Sequence, residues 1–215
     1  MRSDWVPVSA SALVVGAMAL VFGSMLNPST GGQDVAETLR IVDESGTRWL
    51  GMAVMFFLAS IAITLGLPAL LSLFDQRGYT LGMVGVGVFA LGVIGTAGYA
   101  VILIFFRALV VADAVRPEGV EAAANDTGMQ FYFGGWIGGF YLGLLIIAVA
   151  LFRAKKTPLW VPIVLVLFVA SFPFASQLGR VAQIVQVMAL AVAFTGIAIS
   201  AVTLVHRREP ATDSA

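Results

Sequence analysis

A chain of 215 residues that is 60% hydrophobic and only 11% charged is far too apolar for a soluble domain, in which roughly a quarter of residues carry charge. Its 12 basic and 12 acidic residues cancel, so no global field draws it to nucleic acid or presses it against an anionic surface. With no Cys, disulfides, thiolate nucleophiles and iron–sulfur clusters are excluded.

Six stretches, 6–26, 49–74, 78–106, 128–152, 158–179 and 181–205, contain no Asp, Glu, Lys, Arg or His. Each is about as long as the ~20 residues that carry a helix across a bilayer. The expectation is an all-α polytopic bundle forming one domain over 1–215, with transmembrane helices at about 6–26, 49–74, 78–112, 128–152, 158–175 and 181–205. The first stretch follows Arg2 and contains Ala17, Ala19, Gly23 and Ser24. It reads as a retained helix, being longer than the ~7 to 15 residues of a signal core and lacking a clear small-x-small site.

Between the first two segments, the run from Asn27 and Pro28 to Gly31 and Gly32 is a turn. Residues 33–44 then predict a short surface helix with Val35, Leu39 and Val42 on one side. The third helix is expected to continue past Arg107 through Val111 to Val115, until Arg116, Pro117, Glu118 and Gly119 break it. Short turns at 75–78 and 175–179 make antiparallel hairpins of helices two and three and of five and six.

Orientation follows from the basic residues of the short loops. Arg153, Lys155 and Lys156 follow helix four, and Arg207 and Arg208 follow helix six, which sets both termini in the cytoplasm and both long loops outside. Trp5, Tyr79 and Trp160 then lie at inner boundaries, Trp49 and Tyr132 at outer ones. The location expected is the plasma membrane, multi-pass.

Small residues suggest how the helices pack. Gly135, Gly139 and Gly143 recur every fourth residue in helix four, with Gly134 and Gly138 in a second register. This spacing lets another backbone approach closely. Helix six carries Ala182, Ala189, Gly196 and Thr203 at seven-residue spacing with Ala193 and Ser200 alongside, helix one repeats the pattern with Ala12, Gly16, Ala19 and Gly23, and helix three offers Gly82, Gly85, Gly92 and Thr96. Such faces serve packing within the chain or a homo-oligomer.

Two site candidates emerge. At the outer end, Arg107 and Arg180 adjoin apolar stretches, and Gln177, Gln183 and Gln186 surround Arg180 at spacings of three. Phe172, Pro173 and Phe174 should disturb the end of helix five and open backbone carbonyls there. Guanidinium forks suit phosphate or carboxylate, pointing to a lipid headgroup or small anion; the plainer account has Arg180 reaching the interface and Arg107 pairing with Asp113 or another outer acid. The second candidate is Phe131 to Tyr141, where bulky rings alternate with glycines. It is either an apolar slot for a flat isoprenoid, quinone or carotenoid, or an aromatic belt with a packing seam.

Inventory removes several activities. The sole His206 stands beside Arg207 and Arg208, so paired axial haem ligands are lacking. The only lysines, Lys155 and Lys156, lie in a loop, which leaves no Schiff-base site inside a helix. Proton-coupled transport lacks an internal carboxylate, and the loop acids Asp34, Glu37, Asp43, Glu44, Glu118, Glu121 and Asp126 show no calcium-loop spacing. No catalytic residue, cofactor or metal is expected.

The outward loop starting Asn27-Pro28, Arg48-Trp49 at the second helix, the tight Asp75-Gln76-Arg77-Gly78 turn and the Arg153…Pro158-x-Trp160 junction resemble bacterial six-helix membrane proteins of the DUF4386 kind. The resemblance implies topology and no activity or site residues. The function expected is a non-enzymatic accessory, scaffold or lipid-interacting protein whose partners are membrane lipids, a second copy or another membrane protein, and not nucleic acid. The alternative is a carrier or binder of a lipid or small apolar or anionic molecule.

Overall fold

A backbone surrounded by hydrocarbon must satisfy its N–H and C=O groups internally, and the charge-free stretches do so as helices. The structure, a computed structural model, describes residues 5–28, 34–74, 77–175 and 179–208. Those residues form eight α-helices: α1 (Trp5–Leu26), α2 (Val35–Glu44), α3 (Gly46–Leu71), α4 (Tyr79–Val111), α5 (Pro117–Ala124), α6 (Thr127–Ala154), α7 (Trp160–Ala175) and α8 (Arg180–Arg208). Five, α1, α3, α4, α6 and α8, are long and apolar enough to cross a membrane. α7 has 16 residues; at ~1.5 Å per residue it covers about 24 Å, short of a ~30 Å hydrocarbon core.

The long helices and α7 form a ring. Each packs on its neighbour in the order α1, α3, α4, α6, α7, α8, and α8 closes against α1. The closest seams are α1 with α3 and α4 with α6, and in both, glycines set the spacing. A Cβ on Gly16 would lie 2.8 Å from the backbone N of Ile63, and one on Gly66 would lie 2.7 Å from Cα of Leu13. On the other seam Gly92 faces Phe140 and Gly139, Gly143 faces Phe89, and Gly95 faces Trp136. Numbers rise along one helix as they fall along its neighbour, so both pairs are antiparallel.

The expected packing role of Gly139 and Gly143 therefore belongs to the α4–α6 seam, and Gly135 differs. A Cβ there would meet nothing within 4 Å. Four residues turn a helix by ~400°, so each step of four drifts ~40° and two steps carry Gly135 ~80° from Gly143. Trp136 occupies the seam instead, against Gly95.

Ser9 secures the other seam where α3 contains Pro68. Its hydroxyl donates to the Leu65 carbonyl at 2.8 Å and accepts from the Ala69 N–H at 2.9 Å. Proline disturbs the helix ladder at its own turn, and Ser9 supplies a donor and an acceptor there from the adjacent helix.

Helix ends follow local chemistry. The Asp34 side chain caps α2 by accepting from the Glu37 N–H at 2.7 Å, and Asp126 caps α6 from the Met129 N–H at 3.1 Å. Gly78 enters α4 at φ 80°, and a Cβ there would lie 2.9 Å from the Ala150 carbonyl; only glycine fits both demands.

The predicted surface helix is α2, with Val42 buried against Trp49, Met52, Ala53 and Leu103. Arg40 clamps the Glu37 carboxylate at 2.6 and 2.9 Å and also reaches Glu44 at 2.8 Å. The guanidinium holds the Glu37 carboxyl below its usual range. Three expectations change. α4 stops at Val111, four residues before Val115, and its turn places Asp113 at φ 51°. Pro117 does not end that helix but opens α5 at its first turn, where its missing N–H costs nothing. Trp49 is buried, donating its indole N–H to the Leu103 carbonyl at 3.0 Å, and so is not part of an aromatic belt.

Candidate functional site

At the end of the ring where α1, α4 and α7 finish and α3, α6 and α8 begin, the helices enclose a partly open cavity of about 290 Å³. All six contribute. α1 supplies Leu20 and Ser24, with Asn27 just beyond its end; α3 supplies Met52 and Phe56; α4 supplies Thr96 and Tyr99. From α6 come Trp136, Ile137, Phe140 and Tyr141, from α7 Phe168 and Phe172, and from α8 Val187 and Leu190. No lining side chain is charged.

The aromatic rings are held by one another. Tyr99 stacks on Trp136 with centroids 4.4 Å apart. Tyr141 lies 4.2 Å from Phe172 and stacks on Phe168 at 5.4 Å. Such contacts fix ring planes more firmly than isolated aromatics. Hydrogen bonds add to this: the Trp136 indole N–H donates to Thr96 Oγ1 at 3.0 Å, and that hydroxyl donates to the Gly92 carbonyl at 3.1 Å. Further out, the Tyr132 hydroxyl donates to the Gly95 carbonyl at 2.5 Å. The alternation of rings and glycines in α6 thus divides its work. Gly139 and Gly143 let α6 approach α4, and that approach brings Trp136, Phe140 and Tyr141 round the cavity.

The polar candidates lie elsewhere. Arg107 Nε donates to the Gly46 carbonyl at 2.9 Å, tying α4 to the start of α3. Arg180 Nη2 donates to the Met25 carbonyl at 2.6 Å, tying the start of α8 to the end of α1, while its Nε is buried without a partner among the described residues. Neither shows an ion pair; the pairs present among the described residues are those of Arg40 with Glu37 and Glu44. Gln186 Nε2 donates to the Phe168 carbonyl at 3.1 Å. Ser171 Oγ donates to the same carbonyl at 2.9 Å, and α7 runs on through Pro173 to Ala175. Gln183 is half-buried in the first turn of α8, and Gln177 lies outside the described residues. None of the four described polar residues lines the cavity.

Sequence reasoning found the α6 wall and missed the others. Tyr99 and Phe168 are single aromatics in apolar runs, Phe56 stands beside Phe57, and Phe172 was marked beside Pro173 only as a disturbance of the helix end; none of the four carries a local sign of a cavity. The absence of Asp, Glu, Lys, Arg and His from all six stretches did carry a signal: a cavity among these helices is necessarily uncharged. Among the described residues no three His, Cys, Asp or Glu side chains are grouped to hold a metal ion. Compared with family models, curated proteins and solved structures, the chain matches none.

Proposed function

We propose that the protein is a non-enzymatic membrane protein with six spans and cytoplasmic termini, resembling the DUF4386 kind in topology, that binds a small flat apolar molecule in its aromatic cavity. The observation that carries this reading is the lining itself. Seven of its fifteen residues are aromatic and they come from four different helices. Binding sites for small molecules are mostly apolar and concave with a few placed polar groups, and ~300 Å³ is the small end of their range. The lack of any lining acid, base or nucleophile of activated kind leaves binding or carriage as the chemistry available.

Full-length protein in detergent is titrated with 1-aminoanthracene, a flat fluorescent hydrocarbon amine. Saturable binding at one molecule per chain is expected, and Val187→Trp, which fills the cavity from α8, weakens it at least tenfold without changing helical circular dichroism. Undiminished binding to a folded Val187→Trp protein places the probe elsewhere and defeats the reading. The scaffold role keeps one observation of its own. Gly134, Gly135 and Gly138 form an open strip on α6 with nothing within 4 Å of a Cβ at any of them.

A further inference from the structure

Four polar aromatic side chains stand around the cavity, and they divide into two pairs. Tyr132 and Trp136 spend their donors on Gly95 and Thr96. Tyr99 and Tyr141 both line the cavity, and neither hydroxyl has a hydrogen-bond partner among the described residues. Their rings are nevertheless fixed, Tyr99 against Trp136 and Tyr141 between Phe168 and Phe172. Phenylalanine would give the same stacking, so packing does not account for the two hydroxyls. Both hydroxyls face accessible space in an apolar-lined cavity, where an acceptor on an occupant gives each a partner that the lining does not supply.

We infer that the occupant is a neutral, flat apolar ring compound bearing carbonyl acceptors, of the quinone or ring-ketone class, with Tyr99 and Tyr141 as the donors that bind it. The inference rests on the cavity-binding reading above. Neutrality follows from the lining, since Arg107 and Arg180 are engaged with Gly46 and Met25 and neither reaches the cavity wall. Flatness follows from the ring planes. The acceptors separate this class from carotenoids and other bare hydrocarbons, for which two unpaired phenols would be a penalty. Rings already immobilised by stacking lose little freedom on binding, so each hydrogen bond is expressed in affinity.

The test compares 2-methyl-1,4-naphthoquinone with 2-methylnaphthalene, the same skeleton without carbonyls, by calorimetric titration of the full chain in nanodiscs, with empty nanodiscs subtracted. The chain has no Cys, so the quinone forms no thiol adduct. The quinone is expected to bind at least tenfold more tightly than the hydrocarbon. Tyr99→Phe and Tyr141→Phe should each lower quinone affinity by about three- to tenfold and leave the hydrocarbon unchanged. Equal saturable binding of both probes to the wild type overturns the ligand class while upholding the cavity, and absence of saturable binding for either overturns both. A quinone preference that survives both substitutions removes the two phenols as its source. The wild-type comparison decides the class even where a variant does not fold.

Discussion

Ser9 shows how one hydroxyl fixes a helix pair in an apolar bundle. It bonds the carbonyl of Leu65 and the N–H of Ala69, one turn of α3 around Pro68, and it is buried. Hydrocarbon gives α1 and α3 no hydrophobic reason to stay together, so close contact and the few available hydrogen bonds decide the pairing. Ser9→Ala removes both bonds while adding no bulk. The expected loss is about 1–2 kcal/mol of stability, read as a lower melting temperature of the detergent-solubilised protein by circular dichroism; an unchanged melting temperature means that α3 closes its own ladder at Pro68 without Ser9. Arg180 and Arg107 act in a related way, each donating to a carbonyl at the end of a neighbouring helix. Their charge suggested a ligand site in the sequence. Their partners are backbone carbonyls, which no residue pattern announces.

Among the elements, α6 carries two faces with opposite needs. One holds Gly139 and Gly143 against Gly92 and Phe89 of α4; the other presents Gly134, Gly135 and Gly138 to open space. Leucine at position 143 meets the α4 backbone at Phe89 and must push the two helices apart, an overpacking cost of about 1–3 kcal/mol or more. Because that seam also positions Trp136, Phe140 and Tyr141, Gly143→Leu should weaken 1-aminoanthracene binding as well as lower the melting temperature. Gly138→Leu should leave both unchanged, with any effect confined to association with a second copy or another protein, measured by native mass spectrometry. If Gly138→Leu is the harmful change and Gly143→Leu the silent one, the seam is assigned to the wrong face. The helices themselves were legible before the structure, because absence of charge is a signal that survives in one sequence and helix is the one open answer to it. Which glycines pack was only half legible. A spacing of four gives a stripe, and the crossing of α4 over α6 selects where along the stripe contact occurs. The cavity was legible on α6 alone, since its other walls are assembled from residues far apart in the chain.

The arrangement of the whole molecule bears on the number of crossings. Five helices are long enough to span by length and composition, and α7 is not, yet α7 occupies a full place in the ring. Trp160 and Val161 at its start approach Gly196, and the Phe168 carbonyl meets Gln186, so α7 runs antiparallel to α8 along much of its length. Pro158 and Leu159 precede it in a turn whose carbonyls accept from the Val161 and Ile163 N–H groups, and at ~2 Å per residue they add about 4 Å to its 24 Å, close to the ~30 Å required. A small deficit is met by local thinning of the bilayer at modest cost. Six crossings place the loops after α6 and α8 on one side; five place them on opposite sides. The natural absence of Cys makes the distinction direct, because single cysteines at Glu44, Glu121, Lys156 and His206 report without background. In intact cells a membrane-impermeant maleimide is expected to label Glu44→Cys and Glu121→Cys, and to reach Lys156→Cys and His206→Cys only after permeabilisation. The reverse pattern inverts the orientation drawn from Arg153, Lys155 and Lys156 while keeping six spans. Labelling of Lys156→Cys and His206→Cys from opposite sides reduces the count to five, and α7 would then be a helix that enters the bundle without crossing the membrane.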